Sequence, residues 1–249
     1  MSFPFSDGPP PGVSRREWRE RTETASAPSA PATDAAAPLA GLLGDTAPTA
    51  KTNAPPTILT VCTGNICRSP LAEVLLRARL EPLGVRVHSA GTHALVAHGM
   101  TEQAQEIAVR SGADAAAAAG HAARYLVEPL LTESDLVLTM AREHRSHVVQ
   151  MMPSRLRQTF TAREFARLAA TVTDDDVRAA ADAAGDAPRA RLAAALRLLG
   201  DQRGLSLAAA EDDDVIDPYR RSQTTYETSA AQLIPAIDEV ERVVRAALA

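Results

Sequence analysis

The run Cys62-Thr63-Gly64-Asn65-Ile66-Cys67-Arg68-Ser69-Pro70 constrains this chain more than any other feature. It follows ILTVC at 58–62, a short, β-branched apolar run of the kind that forms a buried parallel strand. It leads into a proline at a first helical position and a helix-forming stretch at 71–80, ended by Pro82 and Gly84. A cysteine at a strand end, five residues, and an arginine at a helix start make a loop whose backbone N–H groups can converge on one oxyanion. Arg68 adds a planar fork for two phosphate oxygens. The same positive field favours Cys62 as a thiolate, and Ser69 stands where its hydroxyl can donate to the sulfur. Thr63, Gly64, Asn65, Ile66, Cys67, Arg68 and Ser69 are therefore the expected anion-binding residues. Cys62 is the expected nucleophile of a phosphoryl transfer to cysteine.

Other chemistries fit the loop less well. C-x4-C is the wrong spacing for a zinc knuckle and no cysteine pair elsewhere completes one, so no metal is expected. A nucleotide-binding loop of the GxxxxGK[ST] type needs a lysine that is absent here, and no cofactor is expected. Displacement at phosphorus leaves an alkoxide or phenoxide, which needs a proton. Asp217-Pro218-Tyr219, reached through an acidic stretch, supplies a carboxylic acid for that role in Asp217.

The rest of the chain repeats the strand–helix alternation. Strands are expected at 85–88, 136–140 and 157–161, and helices at 101–110, 141–149, 163–170 and about 222–248. This pattern predicts an α/β domain: a four-stranded parallel sheet flanked by helices, with the phosphate-binding loop after its first strand. Residues 1–56 hold 10 of the 17 prolines and almost no β-branched residues, and read as a disordered Pro/Ala-rich tail. Within it, 14–23 could be a short charged helix around Trp18. The domain then spans 57–249, with an Ala-rich acidic insertion at 171–213 expected to be amphipathic surface helices in a solvated excursion. The net charge of −5 argues against nucleic acid. No apolar run approaches the roughly 18 residues of a membrane span, and the first residues lack a secretory pattern. A cytoplasmic protein is expected.

VCTGNICRSPLAE in the first loop, SAGTHA at 89–94, His121 in GHAAR, LVLTM at 136–140 and DPYRRS at 217–222 closely resemble the low-molecular-weight protein tyrosine phosphatases of bacterial type. The resemblance covers roughly 57–160 and 211–249. It implies hydrolysis of phosphotyrosine in proteins through a phosphocysteine intermediate, with Cys62 as nucleophile, Arg68 binding phosphate and Asp217 as general acid and base. It also implies that Asn65, Ser69, Ser89 and His121 support the loop, and that a bacterial tyrosine kinase is a natural substrate. For Cys67 two readings stand: packing beneath the loop, or, by the resemblance, a redox partner that traps an oxidised Cys62 as a disulfide. The family usually carries an aromatic residue after SAGT that stacks on the phenol ring, where this chain reads HALVAHGM, so by the resemblance Tyr219 is left as the aromatic wall of the substrate site. Two further activities are compatible with the same residues: arsenate reduction with an external thiol, and non-catalytic phosphotyrosine binding.

Overall fold

The computed structural model describes residues 54–205 and 210–249. The expected tail lies almost wholly outside the described residues, as does the 14–23 stretch within it. Four strands, β1 (Thr57–Cys62), β2 (Arg86–Gly91), β3 (Leu136–Thr139) and β4 (Thr159–Thr161), form one parallel sheet in the order β2-β1-β3-β4. Strands β1, β3 and β4 fall within two residues of the expected stretches, whereas β2 runs three residues past its expected end at 88.

Strand β1 is buried along its whole length because both faces of the sheet are covered. Alternate side chains go to opposite sides. Ile58 and Cys62 join the larger core, which also takes α1 (Arg68–Leu80), Leu138, Phe160 and Phe165. Leu59 and Val61 join a smaller core with Val137, Leu131 and Val148. The helices that follow are α2 (Glu102–Arg110), α3 (Ala115–Ala119), α4 (Glu128–Glu133), α5 (Arg142–Met151) and α6 (Ala162–Ala169). The last of these starts on a capping box between Thr161 and Glu164.

The segment 171–205 differs from the expected solvated excursion. It contains α7 (Asp174–Asp182), opened by a Thr173–Asp176 capping box, and α8 (Pro188–Asp201), opened by its proline. Val177, Ala181, Leu192, Ala195, Leu196 and Leu199 are buried in the same core as Phe160, Phe165 and Leu233. Leucines at 192, 196 and 199 recur at helical spacing, and that stripe needs a partner surface. The partner is the last helix, α9 (Gln223–Leu248), together with α6. Asp174, part of the acidic run, pairs with Arg242 of α9 at 2.6 Å.

Candidate active site

The loop between β1 and α1 is fixed from outside by its carbonyls. Thr92, His93 and Leu95 N–H groups donate to the carbonyls of Cys62, Thr63 and Gly64 at 2.9, 2.9 and 3.0 Å. His121 Nε2 lies 2.8 Å from the Asn65 carbonyl, and the Thr101 N–H donates to that of Ile66 at 2.9 Å. Every peptide bond here is trans, so the N–H that follows each of these carbonyls points the opposite way. Outward carbonyls from 62 to 66 therefore turn the N–H groups of 63 to 67 inward, which is the concave donor array that an oxyanion requires. The N–H of Asn65 lies 3.3 Å from Cys62 Sγ.

Two local features permit this curvature. Asn65 has φ +57°, in the left-handed region that asparagine tolerates better than most residues. At the end of β2, a Cβ added to Gly91 would lie 2.5 Å from the Thr63 carbonyl oxygen. Only glycine lets that strand approach the loop so closely.

Side chains behind the loop complete the frame. Asn65 Nδ2 donates to Ser69 Oγ at 3.0 Å and to Ser89 Oγ at 2.7 Å, and Ser89 Oγ donates to Glu73 Oε2 at 2.5 Å. The structure brings Asn65, Ser69, Ser89 and His121 together, and adds two residues that sequence reasoning missed. Glu73, 3.6 Å from His121 Nδ1, closes the ring from α1. Burial raises the Glu73 carboxyl, but bonds from His121 and Ser89 outweigh it and hold the group below the usual carboxylate range. The Arg124 N–H donates to Asn65 Oδ1 at 3.0 Å and its Nε to the Ser89 carbonyl at 2.9 Å. Glu73 could have been found as the residue one helical turn after Ser69, on the same face of α1.

A cavity of about 230 Å³ opens over the loop, lined by Cys62, Thr63, Gly64, Ile66, Cys67, Arg68, His93, Leu95, Asp217 and Tyr219. Cys62 is 2% exposed at its base, with Sγ 3.0 Å from Ser69 Oγ. Arg68 donates through Nη1 to the Val215 carbonyl at 3.0 Å and pairs through Nη2 with Asp217 Oδ2 at 2.8 Å. Its Nε is buried without a partner. A buried guanidinium donor left over in this position fits an anion in the cradle. Asp217 Oδ1 accepts from the Tyr219 N–H at 3.1 Å, which ties the acid to the aromatic wall. The carrying segment is anchored by the Val215 N–H to the Met140 carbonyl at 2.8 Å, by Arg142 to Asp214 at 2.8 Å and by Arg167 to Asp213 at 3.1 Å.

Cys67 meets Thr101 and Tyr226. Its Sγ lies 3.5 Å from both Thr101 Oγ1 and Tyr226 Oη. Burial pushes the Cys67 thiol up despite these two hydrogen bonds. Both cysteines are free. Beyond the loop, His144 of α5 reaches Thr63 with Nε2 2.9 Å from Oγ1, a contact with no signal in the loop motif itself. Where the family usually places an aromatic residue, His93 lines the cavity.

The family model described as low molecular weight phosphotyrosine protein phosphatase matches residues 57–179. The low molecular weight protein-tyrosine-phosphatase Etp of Escherichia coli strain K12 is 46% identical over 96 residues, which are 39% of this chain and 62% of that protein. Ptp of Acinetobacter johnsonii, a protein of the same description, is 39% identical over 103 residues, 41% of this chain and 69% of the relative. The crystal structure of a low molecular weight protein tyrosine phosphatase from T. tengcongensis is 28% identical, with a TM-score of 0.51, covering 74% of this chain and 97% of that one. The YwlE arginine phosphatase from Geobacillus stearothermophilus, 24% identical with a TM-score of 0.52, shares the fold over 75% of this chain and 91% of its own. The chain belongs to the low molecular weight phosphotyrosine protein phosphatase family. It spans 62% of the length of Etp.

Proposed function

We propose that this protein hydrolyses phosphotyrosine in proteins, in two steps and through a phosphocysteine. The observation that carries the reading is the convergence of Cys62 Sγ, an inward-turned array of N–H groups, the unpartnered Arg68 Nε and the Asp217 carboxyl on one cavity. In the first step the Cys62 thiolate attacks phosphorus in line. The phosphorus–oxygen ester bond breaks, and Asp217 gives its proton to the departing tyrosine oxygen. In the second, Asp217 as carboxylate takes a proton from water, whose oxygen attacks phosphorus and releases Cys62 as thiolate and inorganic phosphate. Loop N–H groups and Arg68 hold the equatorial oxygens in both steps.

An aryl ester suits the cavity better than an alkyl or guanidino one. The nucleophile is buried, and Ile66, Leu95 and Tyr219 offer an apolar slot for a ring. Phosphoserine carries its phosphorus on a single methylene and is too short to bring protein backbone and buried sulfur together. Phosphoarginine would bring a polar, hydrogen-bonding guanidine against apolar walls. A tyrosine-phosphorylated protein, such as a bacterial tyrosine kinase, is the proposed substrate. Among the described residues no helix is long and apolar enough to cross a membrane. A nucleophilic thiol beside a second thiol calls for a reducing compartment, and the cytoplasm is the proposed one.

The test is a steady-state comparison of peptides carrying phosphotyrosine, phosphoserine and phosphoarginine, with wild type and Cys62→Ser. Turnover confined to phosphotyrosine and abolished in Cys62→Ser is expected. Preference for phosphoarginine, or activity surviving in Cys62→Ser, would overturn the reading.

A further inference from the structure

His144 is a buried titratable side chain that the two-step reaction leaves unused. It sits in the first turn of α5 and is 1% exposed. Its Nε2 lies 2.9 Å from Thr63 Oγ1 and 3.4 Å from Glu143 Oε1, and its Nδ1 is buried with no hydrogen-bond partner. Three considerations locate the ring's proton. An ionised carboxylate only accepts, so the nitrogen that faces Glu143 carries hydrogen. A hydrogen on Nδ1 would be a buried donor with no acceptor. Burial, and then the nearby Arg68 charge, push the imidazole down to about 3, so the ring is neutral at ordinary pH. The hydrogen is therefore on Nε2, and Thr63 Oγ1 accepts it.

A hydroxyl whose oxygen accepts from one side has its single hydrogen free for another acceptor. Thr63 lines the same cavity as Cys62 and Arg68. We propose that His144 is a positioning residue that donates from Nε2 to Thr63 and so aims the Thr63 hydroxyl proton into the cavity, as a donor to a phosphoryl oxygen. This adds one side-chain donor to the ring of backbone N–H groups. It rests on the phosphoryl-transfer reading of the site and deepens it.

The experiment has two arms on the full chain. Nitrogen-15 NMR of the histidine rings at pH 7 reads the tautomer directly: a pyrrole-type Nε2 and a pyridine-type Nδ1 are expected for His144. Calorimetric titration with inorganic phosphate then compares wild type with Thr63→Val, His144→Leu, the double variant and His144→Gln. Thr63→Val and His144→Leu should each weaken phosphate binding about 10-fold, the scale of one hydrogen bond to a charged group. The double variant should lose no more than either alone, and His144→Gln, whose amide N–H2 can replace the Nε2 donor, should stay within about 2-fold of wild type. A hydrogen on Nδ1, or wild-type phosphate binding in Thr63→Val, would overturn the proposal. Should His144→Leu fail to fold by circular dichroism, Thr63→Val and the NMR arm decide. If wild type binds phosphate as described but leaves phosphotyrosine peptide intact, the proposed function fails while the His144 role stands.

Discussion

Arg68 Nη2 and Asp217 Oδ2 form a 2.8 Å ion pair, so the group proposed to hold the phosphoryl oxygens touches the group proposed to protonate the leaving oxygen. An anion in the cradle competes with the Asp217 carboxylate for one guanidinium and repels it as a like charge. Asp217 is about half exposed, so the pair is worth no more than a surface ion pair. Replacing Asp217 by Ala should therefore tighten inorganic phosphate binding only about 2- to 5-fold. Turnover should move the other way, falling by about 10²- to 10⁴-fold for phosphotyrosine and far less for aryl phosphates with good leaving groups. Equal losses across a leaving-group series would remove Asp217 from the role of acid.

His144 gives a pH signature separate from catalysis. Its imidazole is pushed down to about 3 from an ordinary 6.5, so the folded chain refuses a proton that the unfolded chain accepts. The stability tied to the neutral ring is fully present above 6.5 and declines as pH falls towards 3, by about 1.4 kcal/mol per pH unit. Glu73, held low, acts in the same direction below its ordinary 4.5. Urea midpoints of wild type should drop more steeply than those of His144→Gln between pH 6.5 and 4. Parallel slopes would show that the imidazole takes up its proton without penalty in the folded chain.

Helices α7 and α8 are structural. Leu196 and Leu199 are at most 2% exposed in the main core. Truncating either to Ala should cost about 2–5 kcal/mol of unfolding free energy, measured by denaturant titration. Deletion of 171–205 should yield an unfolded chain; a folded and active deletion protein would contradict this packing.

The comparison between sequence and structure follows from how each element is specified. Strand β1 and the cradle were legible because their residue types are dictated locally: an apolar β-branched run, an asparagine at a positive φ, an arginine at a helix start. The packing of α7 and α8 was hidden because alanine is neutral to burial: the leucines of the buried stripe stand among alanines and arginines in α8, and α7 opens on an acidic run. Glu73, Arg124 and His144 were missed for a different reason. Each meets the loop through the fold, from α1, from the chain after α3 and from α5; the helical-turn step from Ser69 marks Glu73, but no spacing in the sequence records the contacts of Arg124 and His144.

The Cys67 environment bears on oxidation. Its thiol is pushed up by burial and engaged by Thr101 and Tyr226, so it is a protonated thiol at neutral pH. We propose that peroxide converts the Cys62 thiolate to a sulfenic acid. Cys67 then turns from Tyr226 and condenses with it, forming the S–S bond and releasing water. Treated wild type should lose two mass units and recover with dithiothreitol, Cys67→Ala should recover poorly, and Tyr226→Phe should form the disulfide faster. Full recovery of Cys67→Ala would leave this cysteine as packing.

Rapid quench of Asp217→Ala with an activated aryl phosphate, followed by intact mass and peptide mapping, tests the covalent mechanism most directly. The good leaving group departs without an acid, while the missing base slows hydrolysis, so one phosphoryl group should accumulate on the peptide carrying Cys62. That adduct should be absent when Cys62 is replaced by Ala. Multiple turnovers with no adduct at any quench time, or an adduct on another residue, would contradict phosphocysteine chemistry at Cys62.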